Sequence, residues 1–220
     1  EGDYPPKGET IMENNEIRNR NTFAAGKTVV KENGKRHKNS RPMPKASVRV
    51  LDAAYADRMP RVSTICIHGC CEGNEEKTGA YAAVILNEGK KTVLAISGGQ
   101  MGTTVNRMYL MGLIEALKIL TRAEGVQSVK VVTDEEFVSS GVRYRWWSRW
   151  NENGWKTKAG NPVKNQDLWR LVSRMMGEKK FKLWVPDNAS MEPDFINRCD
   201  LYARAAMPKT PDGERTWQAM

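Results

Sequence analysis

The sequence predicts an α/β fold, a mixed β-sheet with helices on its faces, and three observations carry that reading. Three β-rich runs come first, as a meander. A five-turn amphipathic helix follows them, and short strands then alternate with further helices. The chain has 220 residues and 40% hydrophobic content, which supports one well-buried core with extensions rather than two domains. Its formal net charge of +9 favours a polyanionic partner, although an acidic protein surface or an anionic membrane would also be attracted. No run approaches 18 consecutive apolar residues, so no membrane-spanning helix is expected.

Residues 1–60 are rich in Asn, Lys, Arg, Gly and Pro, with Pro5-Pro6, Pro42 and Pro44 and no sustained apolar period. They read as a basic extension, disordered alone, whose Lys35-Arg36-His37-Lys38 run suits folding along RNA or protein. A short helix is expected over 47–58. The domain proper spans 61–207, and 208–220 form a tail. Residues 62–68 read as a strand and 69–79 as a polar loop. The runs 80–87 and 92–97, separated by Glu88-Gly89-Lys90, form a hairpin. In 104–122 the apolar residues Met108, Met111, Leu113, Ile114, Leu117 and Leu120 recur at helical spacing. A buried strand at 129–133, helices at 135–141, 143–151 and 165–176, a strand at 181–185 and a closing helix at 194–206 complete the order.

Four cysteines, Cys66, Cys70, Cys71 and Cys199, are too few for a disulfide scaffold, so buried thiols in a reducing compartment are expected. The spacing of Cys66, His68, Cys70 and Cys71 lies on a strand and its exit rather than on a zinc knuckle. The sequence opens on Glu1, which suits either a chain that has lost a leader or the visible part of a longer protein. A mitochondrial location is the expectation.

The run from Gly141 to Trp169 contains Trp150, Gly154-Trp155-Lys156-Thr157, Pro162-Val163-Lys164-Asn165 and Asp167-Leu168-Trp169. It resembles the tryptophan-rich basic protrusion of bacterial-type ribonuclease H. Other landmarks agree in order: Gly69 and Gly73-Asn74, Asn106-Arg107-Met108, Thr133-Asp134, and Arg198-Cys199-Asp200 with Ala203 to Ala206. The resemblance covers about residues 65–207 and implies a ribonuclease H-like fold, a five-stranded mixed sheet flanked by helices.

That family cleaves the RNA strand of RNA–DNA hybrids with two Mg²⁺ ions held by four carboxylates. The ions, about 4 Å apart, activate water and stabilise the leaving oxygen. The resemblance places His68 and Tyr109 where two of those carboxylates belong, with Asp134 and Asp200 at the other two and Asn188 where a loop histidine assists product release. A neutral imidazole has one coordinating nitrogen and cannot bridge two ions, and a phenol with a pKa near ~10 enters the site neutral. A protein that is not an enzyme, a degenerate ribonuclease H with no cofactor and no small-molecule substrate, is therefore expected. His68, Asp134 and Asp200 form an alternative site for one Zn²⁺ or Mn²⁺; pairing of His68 with a carboxylate is the favoured reading.

Six of seven tryptophans fall within 141–184, a segment with eleven Lys or Arg against three Asp or Glu. Aromatic faces stack on sugars or bases while cations neutralise phosphates. Trp150, Trp155 and Trp169 are expected to form a satellite core, and the adjacent Trp146 and Trp147 to expose at least one ring. Arg143, Arg145, Arg149, Lys156, Lys158 and Lys164 are then the contact candidates. The resemblance adds Gly69, Asn74, Thr104 and Asn106 for the RNA strand, with Val105 departing from the family's usual Asn. The functional expectation is a structural, RNA-contacting subunit of a large ribonucleoprotein such as a mitochondrial ribosome, contacting rRNA and neighbouring proteins. The alternatives are a free hybrid-binding protein or residual nuclease, and a protein-only scaffold of a large complex.

Overall fold

The computed structural model describes residues 11–13, 46–50, 62–73, 77–86, 92–157, 159–178, 181–186 and 193–208. The strands are β1 (Ile11–Glu13), β2 (Ser47–Val50), β3 (Val62–Glu72), β4 (Thr78–Leu86), β5 (Thr92–Met101), β6 (Ser128–Thr133) and β7 (Lys182–Trp184). The helices are α1 (Val105–Leu120), α2 (Glu136–Arg143), α3 (Trp146–Glu152), α4 (Gln166–Glu178) and α5 (Pro193–Ala205). The sheet order is β1-β2-β5-β4-β3-β6-β7. β3 pairs antiparallel with β4 and parallel with β6, and β6 pairs parallel with β7. The five strands from β5 to β7 are the expected mixed sheet of a ribonuclease H-like fold, and β1 and β2 extend it beyond β5.

The sheet is covered on both faces, so β4 is buried at every position and reads as an apolar run rather than an alternation. Tyr81, Ala83 and Ile85 of β4 join Ile65 and Ile67 of β3 beneath Met108, Met111 and Ile114 of α1. The alternate residues Ala80, Ala82 and Val84 join Cys66, Val132 and the α5 residues Cys199, Tyr202 and Ala203 on the opposite face. The period of two in the strands thus divides one sheet between two helices. Thr104 caps α1, accepting from the Arg107 amide at 3.4 Å, and the Glu135 carboxylate caps α2 through the Val138 amide at 2.8 Å.

Two expectations fail here. Residues 69–72 are not loop: β3 continues to Glu72, which pairs with Thr78. Gly69 resembles a turn residue in sequence, but a Cβ there would lie 2.9 Å from the Tyr109 ring, so glycine serves a close approach of α1 to the strand. Nor do residues 47–50 begin a helix. They form β2, paired with β5 in the register Ser47 to Ser97 through Val50 to Leu94, as the β-branched alternation Ser-Val-Arg-Val allows. The rest of the expected helix lies outside the described residues.

Candidate nucleic-acid site

The four positions singled out from sequence converge at one end of the sheet. His68 lies on β3, Tyr109 on α1, Asp134 just beyond β6 and Asp200 on α5. His68 Nδ1 is 3.2 Å from Asp134 Oδ2, and its Nε2 is 3.3 Å from Asp200 Oδ1. The Tyr109 hydroxyl donates to Asp134 Oδ1 at 2.8 Å and lies 3.1 Å from His68 Nδ1. Arg204 closes the outer side, donating from Nε to Asp200 at 2.7 Å and from Nη1 to Glu72 at 3.2 Å.

Because both imidazole nitrogens face carboxylates, the ring is best satisfied as an imidazolium donating on both sides. Burial works against that charge, but the hydrogen bond and field of Asp134 and the field of Asp200 outweigh it, and the His68 pKa is raised. Burial likewise opposes ionisation of Asp134, and the His68 and Tyr109 hydrogen bonds overcome it, holding its pKa below the ordinary value. Burial and the neighbouring Asp134 push the Tyr109 phenol upward, so it stays a neutral donor. The centre is a closed network in which the His68 ring lies between two carboxylates.

A pair of magnesium ions does not fit these residues. Mg²⁺ requires oxygen lone pairs in octahedral array, whereas here the Asp134 oxygens accept from Tyr109 and His68, and Asp200 is engaged by His68 and Arg204. Among the described residues no group of three His, Cys, Asp or Glu is arranged to hold a metal ion. His68, Asp134 and Asp200 come together as the sequence indicated, but both ring nitrogens of His68 are directed at the carboxylates rather than at a shared point.

The protrusion is built differently. Trp169 is fully buried at the hub of an aromatic cluster, stacked on Trp147 at 6.1 Å and 20°, and edge-on to Phe137 at 5.8 Å and Trp150 at 5.7 Å. Trp150 packs in turn on Trp146 and Trp155. Gly141 permits this, since a Cβ there would fall 2.3 Å from the Trp169 ring. The expected satellite core of Trp150, Trp155 and Trp169 therefore includes Trp146 and Trp147 too. Of that adjacent pair Trp147 is buried against Trp169, while Trp146, half-buried against Phe137, keeps part of its ring open to a surface pocket. The Arg170 guanidinium covers the Trp155 ring at 4.7 Å.

Around this core Arg143, Arg145, Arg149, Lys156 and Lys164 are exposed. Arg149 and Lys156 border a pocket of about 190 Å³ with Trp146, Trp150, Asn153 and Thr157. Arg143 and Arg145 are on a different face. Asn106 is half-buried in the first turn of α1 and Val105 exposed. Asn74, Lys158 and Asn188 lie outside the described residues. Sequence reasoning missed the tie between the two halves of the site: Arg107 grips both oxygens of Asp167, at 2.9 and 2.8 Å, and approaches Asn165 Oδ1 at 3.4 Å. Burial of Asp167 opposes its ionisation, but the Arg107 fork prevails and lowers its pKa. The signal was present in Asn106-Arg107 and Asp167-Leu168-Trp169, which served only as landmarks.

The RNase H family model matches residues 61–207. The chain belongs to the RNase H family. It is 35% identical over 153 residues to ribonuclease H of Chlorobium phaeovibrioides, covering 70% of this chain and 100% of the relative. To ribonuclease H of Chromohalobacter salexigens it is 37% identical over 172 residues, 78% of this chain and 98% of the relative. Among solved structures, the foamy viral protease-reverse transcriptase in complex with double-stranded DNA matches with a TM-score of 0.55 at 18% identity, over 66% of this chain and 92% of the other. A type 1 RNase H with the type 2 active-site motif matches with a TM-score of 0.53 at 22% identity, over 66% and 72%. These two share the RNase H fold.

The relatives correct one expectation. Both bear an enzyme's name at 35% and 37% identity across nearly their whole lengths, which overturns the reading of the chain as not an enzyme. That reading rested on two substituted positions, whereas the kinship rests on the whole domain.

Proposed function

We propose that this RNase H family domain binds RNA–DNA hybrids, gripping the duplex through its basic protrusion beside the His68 centre. The pocket between α3 and the following loop carries this reading. Trp146 and Trp150 line it together with Arg149, Asn153, Lys156 and Thr157, and the surface they present to it is almost wholly apolar. Apolar ring faces with flanking cations suit a sugar–phosphate backbone, because the cations release counterions from phosphates while the rings pack on sugars. The Arg107–Asp167 fork fixes this surface relative to the start of α1, so one duplex can meet the protrusion and the strand ends together. One neighbour in fold, a foamy viral protease-reverse transcriptase, was solved with an RNA/DNA hybrid. Lys156→Ala combined with Arg149→Ala is expected to weaken binding of a blunt hybrid by about tenfold or more at low salt. Unchanged affinity and salt slope in fluorescence anisotropy would sink the proposal.

A second reading places the same surface on RNA inside a large ribonucleoprotein, with a mitochondrial ribosome as the concrete host. The basic residues 1–60 favour it: β1 and β2 of that extension are annexed to the sheet edge at β5, and its sequence is rich in Lys and Arg, a composition suited to rRNA. Sedimentation of the native protein with rRNA supports this reading, and migration as an RNA-free species refutes it.

A further inference from the structure

The basic residues of the protrusion do not share one surface. Trp146 and Trp147 are neighbours in α3 but line different pockets. On the Trp147 side, between the α2–α3 corner and β7, a cleft of about 450 Å³ is lined by Arg143, Arg145, Trp147, Lys182 and Trp184, with apolar residues behind them. That volume falls in the range of pockets that enclose small ligands, roughly 300 to 1,000 Å³. Among the described residues no carboxylate lines it.

The walls are held in place. The Trp184 indole N–H donates to Ser128 Oγ at 3.1 Å, and Arg143 Nη2 donates to the Pro186 carbonyl at 2.9 Å. Trp147 is backed by Trp169. Arg145 takes the left-handed conformation, φ 49° and ψ 48°, which glycine or asparagine adopts more readily. A bulky cation at such a position points to a use for the side chain. Between the two arginines, Tyr144 is 64% exposed, the largest exposure among the described large apolar side chains.

We propose that this corner and its cleft form a second nucleic-acid site, which takes an unpaired nucleotide of a single strand while the Trp146–Trp150 face takes duplex. A base has a ring face to lay on Tyr144 or against the indoles, and its phosphates meet Arg143, Arg145 and Lys182. A duplex offers no unstacked base to such a cleft, so the two faces differ in the form of nucleic acid they accept. The proposal shares with the hybrid-binding reading only the idea that cations here meet phosphates.

Anisotropy on the full chain separates the two sites, using an oligouridine strand of about ten nucleotides, the matching oligothymidine strand and a blunt RNA–DNA hybrid. Arg145→Gly and, separately, Tyr144→Ala are each expected to weaken single-strand binding by about tenfold while leaving hybrid affinity within about twofold. The strand that loses more affinity, ribose or deoxyribose, identifies the ligand's sugar. Arg145→Gly is expected to leave the melting temperature unchanged or raised, because glycine suits that backbone. Lys156→Ala is expected to do the reverse, weakening the hybrid and sparing the strand. Single-strand affinity unchanged in both corner variants, or an equal loss on strand and hybrid, overturns the second site. If Lys156→Ala leaves hybrid binding intact while Arg145→Gly weakens the strand, the hybrid reading fails and the second site stands.

Discussion

At the strand ends, His68, Asp134, Asp200, Tyr109 and Arg204 direct their polar atoms at one another, while some residues away in the protrusion the cations stand outward over a packed aromatic base. The first arrangement consumes its own hydrogen-bonding capacity, and the second presents it. Burial explains the contrast: ionisable groups drawn toward the core need partners inside the protein, whereas exposed cations above a tryptophan floor remain solvated until phosphate displaces water. One domain of the RNase H family thus carries a self-satisfied centre beside an outward-facing grip.

The sharpest way to break that comparison is to open the centre. The pair His68→Asp and Tyr109→Glu removes the imidazole and the phenol from Asp134 and Asp200 and places four carboxylates at the strand ends. Cleavage of the RNA strand of a hybrid in Mg²⁺ is expected to rise on the order of a hundredfold over the unsubstituted protein, while hybrid affinity, which the proposed function assigns to the protrusion, is expected to stay within about twofold. Equal rates in the two proteins would show that the His68–Tyr109 network does not limit metal entry.

The next effect tests the grip's foundation. Trp169 touches Trp147, Trp150 and Phe137 and has no exposed surface. Trp169→Ala leaves a cavity at the centre of the aromatic cluster, with an expected loss of about 3 to 5 kcal/mol in urea unfolding. Hybrid and single-strand binding should then fall together, since both faces of α3 rest on that ring. A loss below about 1 kcal/mol would show that the cluster repacks and is not what positions the cations.

Much of this was legible in the chain. Apolar periodicity placed α1 and the central strands to within a few residues, because their burial is two-sided and strongly patterned, and the ordered landmarks from Gly69 to Asp200 gave the fold. The four residues of the centre were identified by position, but their mutual bonding was not, since hydrogen-bond partners separated by 66 residues, as His68 and Asp134 are, leave no trace in local pattern. Strands β1 and β2 were missed because strands of three and four residues carry too short a pattern to read and owe their form to pairing, β1 with β2 and β2 with β5. The division of the basic residues between two faces depends on the left-handed turn at Arg145, which nothing in Arg143-Tyr144-Arg145 announces. The aromatic hub was foreseen too narrowly, because α3 packs Trp147 on Trp169 and Trp146 on Phe137 and Trp150 at the same time.

The smallest expected effect bears on whether the centre is truly self-satisfied. His68 has its folded pKa raised, so its contribution to stability is fully present below the unfolded value near 6.5 and is lost as pH rises through the folded one. Asp134 has its pKa lowered, so its contribution is present above the ordinary carboxylate value and fades as acid protonates it. The centre is therefore most stabilising in the mildly acidic window between these limits. The melting temperature should decline as pH is raised through the His68 transition, and His68→Asn should remove that decline. With only two histidines in the chain, proton NMR can assign His68 by comparison with His37→Gln, and a midpoint above the ordinary imidazole reference near 6.5 is expected. A midpoint at or below the reference would mean that burial outweighs Asp134 and Asp200, that the ring is neutral, and that one of its nitrogens is available after all to something other than the protein's own carboxylates.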